Sequence, residues 1–328
     1  MELPLSLFDK IIGRPRPLWL TLSIAFILYA IALVFGSSQY GFREFFLNDH
    51  WRGFIVSPSI IIYILVVAPL LSKIGGQVIK SIRPLVDIEE EQFCNIVYKA
   101  AYIEPWKELV AILLGLALGV IIVVANIGFS ITWTAFYITL SNALIYGLLA
   151  WVIYVSLTDI KLTATLLRLP LLVDPFDIAP FEPIGRQSLL LAIVFIGGIT
   201  LSLVFVGFES IMFHRFDFWL IYLPMFMVPV VIFFMNMYPT HRVILAAKER
   251  ELKEINNQSV ILSRKLLELI QREVDTGNFP AEINALSAYE QRLQSTRTWP
   301  FNFAMLRTLF FSILVPGFTA LLRVILGL

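Results

Sequence analysis

PLWLTLSIAFILYAIALVFGS, residues 17–37, is the first of seven apolar runs. Each has the roughly 20 residues that a helical bilayer crossing needs. The others lie at about 53–72, 109–129, 132–157, 188–208, 217–238 and 301–327. The runs are continuous rather than alternating, which argues for helices over membrane strands. Composition agrees. The chain is 58% hydrophobic, only 15% charged, and has a mean hydropathy of +0.81. Soluble domains are closer to about a quarter charged. The expected fold class is an all-α integral membrane protein with seven transmembrane helices.

The first run is longer than the core of a signal peptide, and no A-x-A-like cleavage site follows it. It reads as a retained signal anchor. Leu5, Leu7, Phe8, Ile11 and Ile12 precede it and predict a short helix along the membrane surface. The net charge of +1 implies no nucleic-acid partner. The lone Cys94 can form neither an intrachain disulfide nor a cysteine metal cluster.

Lysine and arginine set the expected orientation. Twenty of the 25 fall in the N-terminal tail and in the loops after the second, fourth and sixth runs. Three, Arg43, Arg52 and Arg215, fall on the other side, and Arg307 and Arg323 lie inside the last run. The N-terminus is therefore expected in the cytoplasm and the C-terminus outside a cell membrane. The sequon at Asn257-Gln258-Ser259 then stays cytoplasmic and carries no glycan.

Three regions follow: a six-helix membrane domain over 1–238, a cytoplasmic helical anchor over 239–300, and a final transmembrane helix over 301–328. Residues 241–275 hold no Gly or Pro, so the sixth span is expected to continue as one long helix until Gly277-Asn278. A second helix is expected over 281–294. Along the first, Leu245, Leu252 and Leu266 share one heptad position; Ile255, Leu262 and Leu269 share the matching one. That seam serves either an oligomer interface or packing within the chain.

What the spans lack is also informative. None of the first six runs has a charged residue in its central part. Proton-coupled transport needs such a carboxylate. His50, His214 and His241 are isolated, so no HExxH metalloprotease helix exists. The last run has no lysine for a Schiff base, and G-protein-coupled receptors have the opposite orientation. No enzyme activity, cofactor or metal is expected. Gly115 and Gly119 form a GxxxG that predicts close helix packing. Pro224 and Pro229 predict a kink in the sixth span. Pro170, Pro175, Pro180 and Pro183 predict a rigid elbow between the fourth and fifth spans. Asp87, Glu89, Glu90 and Glu91 read as a solvated face.

The final run raises a different question. Thr308, Ser312, Thr319 and Arg323 fall within a stripe roughly 60° wide on a helix. Lipid does not reward a polar stripe. It faces water in a pore, or it packs against protein with its hydroxyls bonded to backbone carbonyls.

The seven spans, the long cytoplasmic helix, the short helix at 281–294 and the terminal span starting at TRTWPFNF together resemble the seven-transmembrane ion channel superfamily. That family includes the insect odorant and gustatory receptors, and TRTWPFNF is similar to the Thr-Tyr start of their last helix. The resemblance implies a homotetramer whose cytoplasmic helices form a central anchor. It implies a pore lined by the last span and a small-molecule pocket in the outer halves of earlier spans. On that reading Thr308, Ser312 and Thr319 face water, and Val315 and Leu326 form apolar constrictions. A ring of Arg323 at the outer mouth repels cations. The expected function is an oligomeric, ligand-gated ion channel whose partners are its own copies, membrane lipid and a small ligand. A sensor or scaffold acting through residues 239–300, or a transporter that is not proton-coupled, are the alternatives.

Overall fold

In hydrocarbon a backbone must satisfy its own N–H and C=O groups, and a helix does this within one segment. A computed structural model describes residues 18–48, 50–128, 132–206, 216–272 and 275–326. In chain order the helices are α1 (Leu18–Tyr40), α2 (Phe42–Leu47), α3 (Trp51–Ile82), α4 (Glu90–Ala101) and α5 (Pro105–Ile127). They continue as α6 (Trp133–Leu166), α7 (Glu182–Val206), α8 (Phe216–Gln271), α9 (Phe279–Gln294) and α10 (Phe303–Leu326). No strand occurs among the described residues, and Val86 and Leu171 make one isolated antiparallel bridge.

Six spans are long and apolar enough to cross a membrane: Trp19–Tyr40, Trp51–Leu85, Glu90–Ala125, Trp133–Leu166, Ala179–Val204 and Phe226–Gln271. The architecture is that of an all-α membrane protein. The expected seventh span is shorter as described. Its apolar stretch is Phe303–Phe318, because the side chains beyond residue 318 lie outside the described ones. The surface helix expected around Leu5–Ile12 also lies outside the described residues.

Local chemistry sets the helix ends. Pro105 opens α5, where its missing N–H costs nothing. Thr132 caps α6 by accepting a bond from the Ala135 N–H at 3.2 Å. Gly277, at φ +52°, and Asn278 turn the chain between α8 and α9, where the composition predicted a break. The proline elbow holds two side-chain turns. Asp174 accepts from the Phe176 N–H and Asp177 from the Ala179 N–H, at 2.8 and 3.0 Å.

Packing follows from the apolar faces. Helices α3, α6, α7 and α8 form the centre, with α1 against α3 and α5 against α6. The GxxxG works as close packing: a Cβ on Gly119 would lie 2.7 Å from the Ala143 Cα, and one on Gly115 2.9 Å from the Gly147 Cα. Near α4 a second core joins Ile82, Phe93, Val97, Leu166, Phe181 and Ile244. There Arg83 pairs with Glu90 at 2.7 Å, so Glu90 is engaged rather than only solvated.

Candidate functional site in the helix bundle

Side chains on α3, α6, α7 and α8 do not fill the space between these helices. They leave a cavity of about 1150 Å³, somewhat larger than pockets that hold drug-sized ligands, which run to about 1,000 Å³. Its walls are apolar, with Ile60, Ile64, Val67, Val194, Phe195 and Ile199 among them. Small residues make the room: Gly53, Ser57, Ala68, Gly198 and Ser202 all line it.

Polar groups concentrate toward the α2 end. Tyr40, Asn48, His50 and Arg52 lie there, and Asn142 contributes from α6. The Tyr40 and His50 rings stack at 4.1 Å, and the Arg52 guanidinium sits 5.6 Å over the Trp51 ring. Two tyrosines fix the wall. Tyr137 donates to the Phe54 carbonyl at 3.0 Å and Tyr63 to the Val194 carbonyl at 2.9 Å. Tyr63 lies directly against Gly197, where a side chain would strike its ring. The resulting site suits an amphipathic small molecule: rigid apolar walls, with hydrogen-bonding and cationic groups near one end.

The polar stripe of α10 is elsewhere. The helix packs on α7 through its buried Met305 and Leu309. Thr308 and Val315 are exposed, and Ser312 is half-buried at the edge of the packed face. Thr308 donates to the Ala304 carbonyl at 2.8 Å and Ser312 to the Leu309 carbonyl at 2.7 Å. Both hydroxyls thus bond within their own helix. The side chains of Thr319, Arg323 and Leu326 lie outside the described residues. No described residue of α10 lines the cavity.

The heptad seam lies on the face of α8 that turns toward the rest of the chain. Ile255 is buried, and Leu245, Leu252, Leu262, Leu266 and Leu269 are half-buried. Helix α9 packs along α8 in the same chain. Tyr289 donates to the Glu251 carboxylate at 2.8 Å, and Lys248 donates to the Gln294 carbonyl at 2.7 Å, neutralising the C-terminal end of α9. The Glu251 hydrogen bond is the main cause that holds the Tyr289 phenol above its usual range. Phe176 of the elbow meets Tyr289 edge-on at 5.2 Å, and Arg292 lies 5.0 Å over Phe176.

Two carboxylates lie in the bundle helices just outside the apolar runs, one of them buried. Glu108 is fully buried and accepts from the Trp151 indole N–H at 2.8 Å. Asp159 lines a second, smaller cavity. Both sit just beyond the apolar runs, in helices that outlast those runs.

No family model, curated protein or solved structure matches this chain. Its class rests on its own architecture, an all-α membrane protein with a large cavity in its central bundle.

Proposed function

We propose that this chain is the subunit of an oligomeric ion channel opened by a small amphipathic ligand, with the final helix lining the pore. The observation that carries the reading is the open cavity of about 1150 Å³ lined by α3, α6, α7 and α8. A concave apolar space of that size with convergent polar groups at one end is the usual form of a small-molecule site. Helix α10 adds support. It is packed on one face only, which leaves Thr308 and Val315 uncovered for a neighbouring copy or a water path. The topology belongs to the same reading: seven spans, a cytoplasmic N-terminus, an outer C-terminus and a tetramer held through α8 and α9.

Reconstitution in planar bilayers tests it. Single-channel currents should appear, and native mass spectrometry should give a closed tetramer. Ser202→Trp should fill the cavity and abolish the ligand response while leaving the assembly intact. A monomer without currents rejects the channel.

A transporter is the second reading, favoured by one observation. A smaller, mainly apolar cavity that also meets Asp159, Gln187 and Asn236 lies between the same four helices. Substrate uptake into liposomes without unitary currents selects it.

A further inference from the structure

Four helices curl around the large cavity and leave one side open. Helix α6 packs on α3, α3 on α7 and α7 on α8, whereas α6 and α8 share no packed face among the described residues. Apolar side chains edge the gap between them. On α8, Val228 lines the cavity yet is 54% exposed, and Val231 and Met235 follow on the same face, 53% and 66% exposed. On α6, Tyr146 and Leu149 line the cavity and are half-buried, and the exposed Ile153 continues their face. None of these six residues is charged. They lie within the apolar runs at 132–157 and 217–238. The gap therefore opens at the depth of hydrocarbon.

The space is also long and polarised. Its α3 wall runs from Arg52 to Ala68, about 24 Å along the helix axis, against a hydrocarbon core of about 30 Å. Tyr40, Asn48 and His50 gather at the α2 end. Deeper in the α3 wall the residues are Ile60, Ile64, Val67 and Ala68, and Tyr63 there already donates its hydroxyl to the Val194 carbonyl. Beside the polar end, Phe42, Phe46 and Leu47 of α2 are exposed. A short helix with uncovered apolar residues, and Arg43 and Glu44 among them, suits the level of the lipid headgroups. The cavity thus repeats the order of a lipid leaflet: polar groups at headgroup depth, then a long apolar stretch that meets hydrocarbon between α6 and α8.

We propose that the ligand is a long single-chain amphiphile drawn from the bilayer, such as a fatty acid. Its head lies at Tyr40, Asn48 and His50, and its chain fills the cavity toward the gap between α6 and α8. The inference rests on the reading of the cavity as a ligand site and adds the class and source of the ligand. A compact water-borne molecule would match the polar end and leave the apolar length without a partner. A hydrocarbon chain matches that length, and the uncharged edges let it meet the surrounding lipid.

Photolabelling of the full chain in nanodiscs tests the proposal. Palmitic acid with a diazirine at the chain end should label deep lining residues such as Val67, Leu149 and Val228. The same acid with the diazirine beside the carboxyl should label residues 40–52. Unlabelled palmitic acid should compete, and Ser202→Trp should reduce both labels about tenfold. Nitroxides at Val231 and Ile153, after Cys94 is replaced, should be relaxed by oxygen and not by a water-soluble nickel chelate, as at a surface bordering lipid. Labelling of the cavity by a diazirine-bearing butyric acid but not by palmitic acid overturns the proposal and leaves the ligand site standing. Labelling by neither overturns both. Head and chain probes that mark the same residues overturn the placement. Relaxation by nickel shows water in the gap, and protection from both reagents shows a second copy over it; either result overturns the bilayer source. Where Ser202→Trp yields no folded protein, competition by unlabelled palmitic acid on wild type decides, and its absence overturns the site.

Discussion

Trp151 Nε1 lies 2.8 Å from Glu108 Oε1, joining α6 to the first turn of α5 around a fully buried carboxylate. Removing a hydrogen-bond partner from a buried acceptor costs about 1–3 kcal/mol. Trp151→Phe keeps a large aromatic body and deletes the donor. It should lower stability by that amount, read as a fall in Tm in detergent.

Glycines in the bundle separate into two kinds. A Cβ on Gly119 meets the backbone of α6, whereas one on Gly76 meets nothing within 4 Å. Gly119→Val should disrupt the α5–α6 contact and abolish folded protein in size-exclusion chromatography. Gly76→Ala should be tolerated and should stabilise α3 by about 0.5–1 kcal/mol through helix propensity. Equal behaviour of the two variants would remove close packing as the reason for the GxxxG.

Single cysteines test which surface α10 gives to water, after Cys94 is replaced. At Thr308, Ser312 and Thr319 they should react with a small charged thiol reagent if the stripe borders a pore. At Phe310 and Leu314, which face away from the packed side, they should react much less, since a thiolate does not form in lipid. Uniformly low labelling would assign the stripe to protein contact.

The hairpin of α8 and α9 should loosen at high pH. The Tyr289 phenol is held above its ordinary value first by its hydrogen bond to Glu251, then by burial and nearby carboxylates. A raised folded-state value favours the neutral phenol. The bond's contribution is therefore fully present below the usual tyrosine range, about pH 10, and is lost as pH rises through the folded value. Tyrosine absorbance near 295 nm, as a difference between wild type and Tyr289→Phe, should show this residue ionising late. Glu251→Gln should bring its transition to lower pH. An unchanged transition in Glu251→Gln would rule out the hydrogen bond as the cause.

Much of the helical layout is legible in the residues alone, because a run of about 20 apolar residues has few solutions in hydrocarbon. The extension of α8 to Gln271 and the break at Gly277-Asn278 are legible for a local reason: helix formers run unbroken and then stop. The GxxxG points to close packing, and Gly115 and Gly119 provide it. The cavity is not legible. Its lining runs from Tyr40 to Pro229, and a void is defined by where side chains fail to meet. Glu108 and Asp159 escape for another reason. The third apolar run begins at about 109 and the fourth ends at about 157, but α5 begins at Pro105 and α6 ends at Leu166. Hydropathy marks where lipid is met, and a helix carries its polar ends past that boundary into the protein.

Helix α8 is continuous over 56 residues, about 84 Å at 1.5 Å per residue. Pro229 on it borders the large cavity and Asn236 borders the small pocket. From Pro229 to Gln271 the axis is roughly 63 Å long. On the proposed channel reading, turning as one rod, it would act as a lever with its short arm at the cavity and its long arm toward Gln271. A tilt of about 5° at the cavity would sweep the far tip through roughly 5 Å, about one helical pitch. On that reading, a sub-ångström adjustment around a small molecule would become a displacement large enough to re-register a neighbouring helix.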